Sequence, residues 1–426
     1  MSDFHDEQEG RSAEAREAAL FERFGERLAR AAAALPGLGE HLAGHDLAAV
    51  GSREALSRLP VLRKPALMRA QLERPPFGGF VDATALAGSR VFMSPGPVFE
   101  PQRPIPDPWS AARALHAAGF RHGALVHNAF SYHLTPGAFI LEEGARALGC
   151  TVFPAGTGGT ARQVAAIRQL RPTAYTGTPD YLRTLLDHAE QEGGPLDCFE
   201  IALVSGGALF PAMRAAYREA GIRVLQCYAT ADIGIIAYES ATQGEPNAGM
   251  VVDESLIVEL CHPGSDELVG PGERGEVVVT RLEAADERPV APLVRFGTGD
   301  LSMWLDEPSP CGRTNHRLAG WLGRADQRTK VRGLFVDPEQ VQAVRRENPG
   351  IERLRLVVER DGDRDVMTLR VRLGAGEMSE GLVARVADSL SRHAGLSGRV
   401  ELVESLPADG VVIEDARDYD DGKGAS

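Results

Sequence analysis

Apolar positions along this chain follow three successive rhythms, and each predicts a different architecture. Leu20, Phe21, Phe24, Leu28, Ala31 and Leu35 recur at helical spacing and predict one amphipathic helix. Residues 36–90, rich in Pro, Arg and Leu, predict short helices without a clear motif. From 119 to 228, short apolar runs alternate with helix-like stretches. The runs are GALVHN at 123–128, CTVFPA at 150–155, TAYTG at 173–177, EIALVS at 200–205 and IRVLQCY at 222–228. Helical spacing marks 161–170, 179–190 and 211–220. Alternation at this pitch predicts a parallel sheet with helical crossovers. Ligands of such sheets sit beyond the carboxyl ends of the strands.

The rhythm changes at Gly249. GMVVD, SLIVELCH and GEVVVTRL read as strands, with Pro263-Gly264 and Gly270-Pro271-Gly272 as turns between the last two. They predict an antiparallel β subdomain. A third pattern predicts a small α+β domain. It has a helix over 338–347, strands over 354–359 and 367–373, a helix over 378–393 and a strand over 399–403. The expected organisation is therefore α/β. A large N-terminal domain covers 1–325, with parallel-sheet units and an antiparallel β subdomain. A small mobile α+β domain covers 326–415, and an acidic tail over 416–426 is expected to be disordered.

Composition narrows the function. A net charge of −14 argues against nucleic acid, whose phosphates demand a basic face. Only Lys64, Lys330 and Lys423 are lysines, so lysine-dependent chemistry has few candidates. Five scattered cysteines, odd in number and in no CxxC pair, speak against a disulfide framework and for a reducing cytoplasm. The polar, acidic N-terminus is unlike a signal peptide, and no apolar run approaches the ~20 residues that cross a membrane.

Four segments carry candidate chemistry. Residues 91–101, VFMSPGPVFEP, follow a strand. Ser94 and Gly96 there suit a phosphate-holding loop, while the prolines equally suit a plain turn. In Tyr228-Ala229-Thr230-Ala231-Asp232, the carboxylate of Asp232 suits Mg²⁺ beside a phosphate, or else caps a following helix. In Arg295-Phe296-Gly297-Thr298-Gly299-Asp300, the glycines let backbone approach a ligand and Asp300 can accept ribose hydroxyls. A tight turn with a self-bonded Asp is the alternative. GRADQRTKVRG at 323–333 is either a charged linker or a functional join.

In order and spacing, RFGTGD, then GRADQRTKVRG, then a small α+β domain resemble the adenylate-forming acyl-CoA synthetases, phenylacetate–CoA ligases above all. The resemblance implies ATP/AMP, Mg²⁺ and coenzyme A as cofactors and a small aromatic or apolar carboxylic acid as substrate. It implies that Asp300 and Arg324 serve the ribose–phosphate side. Gly206, Gly207 and Ala208 would face adenine with Tyr228, Ala229 and Thr230. Asp232 would hold Mg²⁺, Asp326 would be the hinge, Gly333 would line the CoA tunnel, and His133 would stand near the acyl pocket. A homodimer is compatible with this reading. Three positions depart from the family. Glu100 stands where its phosphate loop has lysine, Ala231 replaces a hydroxyl residue, and Val411 replaces the adenylation lysine. Arg417 and Lys423 are the cations nearest that vacancy. Cys311 alone remains of a CxC pair, so no zinc is expected. The alternative implied by these departures is an impaired nucleotide- or acyl-CoA-binding protein on the same fold.

Overall fold

The computed structural model describes residues 4–94, 97–284, 286–325, 327, 329–332, 334–361, 364–374, 381–407 and 411–417. The chain divides into two compact units, Met1–Leu322 and Gly323–Ser426.

In the first unit, five parallel strands run in the order Thr151–Pro154, Leu125–Asn128, Ala174–Gly177, Ile201–Val204 and Arg223–Thr230. Helices Gly137–Ala147, Thr160–Leu170, Pro179–Gln191 and Pro211–Glu219 make the crossovers. Because strand side chains alternate between faces, neighbouring residues enter different cores. Leu203 and Leu225 pack with Leu115, Phe120 and Leu141, whereas Ala202, Val204 and Val224 pack with Ile167, Leu185 and Tyr217. Beyond Arg223–Thr230 the same sheet turns antiparallel through Gly234–Tyr238, Met250–Val252, Arg317–Leu318 and Trp304–Leu305.

A second sheet pairs Leu62–Arg63 in parallel with Leu293–Ser302, which continues antiparallel to Gly275–Arg281 and then Ile257–Cys261. The expected helix at 20–35 is two helices, Ala13–Leu20 and Phe24–Ala34, because Arg23 takes a left-handed conformation with φ 48° and interrupts the ladder. The apolar stripe itself is as read: Phe24, Leu28, Ala31 and Leu35 are buried with Ile257 and Val294 of the second sheet. The polar start is docked as well. Glu9 is buried, and its Oε1 accepts from Tyr238 Oη at 2.8 Å and Arg313 Nε at 2.5 Å. Arg16 holds both oxygens of buried Glu254, at 2.8 and 3.1 Å. Among the described residues, no helix is long and apolar enough to cross a membrane.

The second unit packs helices Pro338–Glu347 and Leu382–Ala394 on a sheet ordered Arg399–Leu402, Arg364–Leu373, Ile351–Asp361, Ile413–Asp415. The central pair is antiparallel and both outer pairs are parallel. A capping box between Asp337 and Gln340 starts the first helix where Pro338 pre-sets its φ. The strand Ile413–Asp415 escaped the sequence reading because three residues carry too little periodicity.

Candidate active site

The register of the parallel strands levels Gly177 with Val204 and Val204 with Gln226, so the segments after them emerge on one side. Gly206 turns there with φ 72°, and the Ser205 hydroxyl donates to the Cys227 carbonyl at 2.8 Å. Gly207 is exposed and Ala208 half-buried in that turn. Tyr228 is buried. Its hydroxyl lies 2.9 Å from Asp300 Oδ2 and 3.2 Å from Thr298 Oγ1, on the strand of the second sheet. Trp321 Nε1 donates to the other oxygen, Asp300 Oδ1, at 3.1 Å. Behind them, Thr298 Oγ1 donates to Val277 O and accepts the Asp300 N–H, while Glu276 accepts the Gly299 N–H at 3.2 Å. Asp300 is thus a carboxylate fixed in orientation by an aromatic donor on each oxygen, and each oxygen can accept more than one hydrogen bond.

The motif around it divides into two jobs. Arg295 is fully buried, with φ 43°, and its guanidinium is held by Glu259 at 3.0 Å, Ser57 O at 2.8 Å, Asp266 O at 3.0 Å and Leu59 O. It anchors the sheet to the 57–59 loop, whereas Asp300 at the far end of RFGTGD lies between Tyr228 and Trp321.

The Asp232 side is built from three segments. Strands Val91–Ser94 and Val98–Pro101 form a hairpin that sets Ser94 opposite Val98 and brings Ser94 Oγ 2.5 Å from Glu100 Oε1. Asp232 lies in the tight turn between Arg223–Thr230 and Gly234–Tyr238, so it caps no helix. Gly234 closes that turn with φ 95°, and Arg281 Nη1 donates to Ile233 O at 2.9 Å. Lys64, first residue of the helix Lys64–Glu73, enters between them. Its Nζ is 3.1 Å from Asp232 Oδ2, 3.3 Å from Ser94 Oγ and 4.0 Å from Glu100 Oε1. The anion at position 100, which looked unopposed in the sequence, therefore has a cation within reach. Burial and the nearby Asp232 charge push the Glu100 carboxyl well above the usual range, against the pull of Lys64. Asp232 Oδ1 and Glu100 Oε2 are buried, and a hydrogen bond between the two carboxyl groups contributes to raising Glu100.

Residues 113–284 match the AMP-binding enzyme family. The phenylacetate-coenzyme A ligase of Thermus thermophilus is 33% identical over 264 residues, 61% of this chain and 58% of that relative's length. The phenylacetate-coenzyme A ligase of Aromatoleum evansii is 29% identical over 326 residues, 73% of this chain and 72% of its own. A solved 2-hydroxyisobutyryl-CoA ligase, in complex with 2-HIB-AMP and CoA, matches with a TM-score of 0.79 and 26% identity. That match covers 97% of this chain and 92% of the other. The chain is similar to phenylacetate–CoA ligases and carries the AMP-binding match of adenylate-forming enzymes.

Other sequence-predicted residues are placed unevenly. Ala229 and Thr230 are half-buried on the strand after Tyr228, and Thr230 pairs with Gly234. His133 is exposed on the loop after Leu125–Asn128; its backbone N–H donates to Ser131 Oγ at 3.1 Å and its carbonyl accepts the Thr135 N–H at 2.8 Å. The polar network of that loop runs instead through Thr176, Asn128, Tyr132 and Glu142, with links of 3.0, 2.8 and 2.7 Å. Burial lowers the pKa of the neighbouring His127, which stacks on Tyr175 and bonds Gln163 at 2.8 Å, as a neutral core histidine does.

In the second unit Arg324 and Val411 are half-buried, while Asp326 and Gly333 lie outside the described residues, as do Gly96 and Lys423. Gln327 Oε1 accepts the Val412 N–H at 2.7 Å, tying residue 327 to the strand after Val411. The Arg417 guanidinium binds Asp415 at 2.7 Å, Asp365 at 3.1 Å and Thr329 at 3.1 Å. Cys311 Sγ lies 3.2 Å from Ser240 Oγ and 3.1 Å from Ser309 Oγ. Among the described residues, no group of three or more His, Cys, Asp or Glu is arranged to hold a metal ion. The sequence reading named Lys64 only as one of three lysines and did not single out Trp321. Both belong to rare residue types here, three lysines and three tryptophans, and that rarity was the only signal.

Proposed function

We propose that this chain is an AMP-forming acyl-CoA ligase for an aromatic or other apolar carboxylic acid. The substrate carboxylate attacks the α-phosphorus of ATP, pyrophosphate leaves, and the CoA thiol then attacks the acyl carbon and releases AMP. The observation that carries this reading is the Tyr228–Asp300–Trp321 arrangement, a fixed carboxylate beside the carboxyl ends of the parallel strands. A carboxylate so oriented suits the vicinal hydroxyls of a ribose, and Gly206, Gly207 and Ala208 leave room for the base. Relatives of the same family, named as acid–CoA ligases, support the two-step chemistry.

The adjacent carboxyl groups of Asp232 and buried Glu100 suit a hard divalent cation. Asp232 would hold Mg²⁺, whose charge offsets that of the phosphates. Ser94 lies on the same side and offers a hydroxyl to phosphate. The resemblance to acid–CoA ligases adds Arg324, Asp326 and Gly333 as residues whose substitution is expected to slow the overall reaction. An aliphatic Val411 cannot bridge the carboxylate and the α-phosphate, so the first half-reaction is expected to be the slow one. The test is acid-dependent release of AMP and formation of acyl-CoA across arylacetic, benzoic and aliphatic acids. Product with apolar acids supports the proposal, and no product with any acid contradicts it.

A further inference from the structure

We propose that Lys64 is the residue that receives the nucleotide's phosphates, so that the cation absent at position 100 is supplied from the N-terminus of the Lys64–Glu73 helix. This inference rests on the ligase reading above and assigns one further binding residue to the same site. Backbone register is the first argument. Leu62 pairs with Phe296 and Arg63 with Gly297, which delivers Lys64 alongside the strand that continues to Asp300. The ribose carboxylate and the lysine are thus set by one strand pairing, at the start of a ten-residue helix whose positive end adds to the cation.

Partner accounting is the second argument. Arg63, next in sequence, is committed to Glu276 at 3.2 Å, Asp266 at 3.2 Å and Ser265 O. Lys64 faces the other way, into Asp232, Ser94 and Glu100. Two carboxyl groups, hydrogen-bonded to one another, share this one amine. An ammonium carries three donors on a flexible stem and can exchange one oxygen acceptor for another. A phosphate entering beside Ser94 offers such an acceptor, so Lys64 would pass from Asp232 to the phosphate.

A purely structural Lys64 would only neutralise Asp232 and Glu100, and the two roles differ in what they do to ligands with and without phosphate. Adenosine, AMP and ATP are titrated calorimetrically, in the presence of a chelator, into wild type, Lys64→Met, Lys64→Arg and Asp300→Ala. The expected result is that Lys64→Met loses about 10–100-fold in AMP and ATP affinity, the range of a charge-assisted hydrogen bond, with adenosine affinity unchanged. Lys64→Arg recovers part of the loss, and Asp300→Ala weakens all three ligands. Should Lys64→Met fail to fold, Lys64→Met/Glu100→Gln removes one buried anion together with the amine and is read in the same way. Equal weakening of adenosine and AMP, or unchanged AMP binding, overturns the proposal. Wild type binding none of the three overturns the ligase reading itself.

Discussion

The Tyr228 hydroxyl sits 2.9 Å from Asp300 Oδ2 and so joins the last parallel strand of one sheet to the middle of another. Neither residue does this alone, since Trp321 holds the opposite oxygen at 3.1 Å. The carboxylate is fixed before any ligand arrives, which spares the entropy of ordering it on binding.

Trp321→Phe keeps the ring and deletes the donor. AMP affinity is expected to fall by about ten-fold as the carboxylate loses its fixed orientation, and the melting temperature of the free protein should drop by a few degrees, since a hydrogen bond to a charged group is worth roughly 1.5–3 kcal/mol. Calorimetric titration against wild type measures this. An unchanged affinity would mean that the indole only packs.

Arg295 and Asp300 share a motif but are expected to fail differently. Arg295→Met leaves Glu259 buried without its cation and should cost about 3–5 kcal/mol of stability. AMP affinity of the folded protein should remain. Denaturant titration and AMP binding, measured on the same preparation, separate the two effects.

Much of the fold is legible in the sequence because alternation and turn chemistry are local signals. The five parallel strands, the antiparallel runs after Gly249 and the helix Pro338–Glu347 all coincide with periodic stretches bounded by Gly or Pro. The break at Arg23 was not legible, for a left-handed residue inside an apolar stripe leaves no mark on the spacing. Asp232 was legible as a candidate because it directly follows an apolar run, and Asp300 because glycines precede it, although Asp300 lies within the strand Leu293–Ser302. Lys64 was not, because the parallel pairing of Leu62 with Phe296 is a long-range event and residues 36–90 carry no motif. The sequence showed Glu100 as a charge without an answer; the fold answers it from a distant segment.

Gly234→Ala tests how strictly the Asp232 turn is built. The residue has φ 95°, and an added Cβ would come within 2.5 Å of Trp109 Cβ and 2.7 Å of its carbonyl. Strain and a backbone clash together should cost about 2–4 kcal/mol. The melting temperature should fall by several degrees. Retained stability would show that the turn can relax.

Val411→Lys restores the cation that the family places there. If the first half-reaction is limited by that loss, pyrophosphate release should rise by about ten-fold or more. Thioester formation from a synthetic acyl-adenylate should change little. A single-turnover assay of each half-reaction reports the two rates separately, and a gain confined to the second would contradict the assignment of Val411.

Exchange of labelled pyrophosphate into ATP, dependent on added carboxylic acid, tests most directly that Asp300 seats the nucleotide of an acid-activating enzyme. The prediction is slow exchange that appears only with an apolar acid present and is abolished in Asp300→Ala. Exchange that persists in Asp300→Ala, or that no acid elicits from folded wild type, would contradict it.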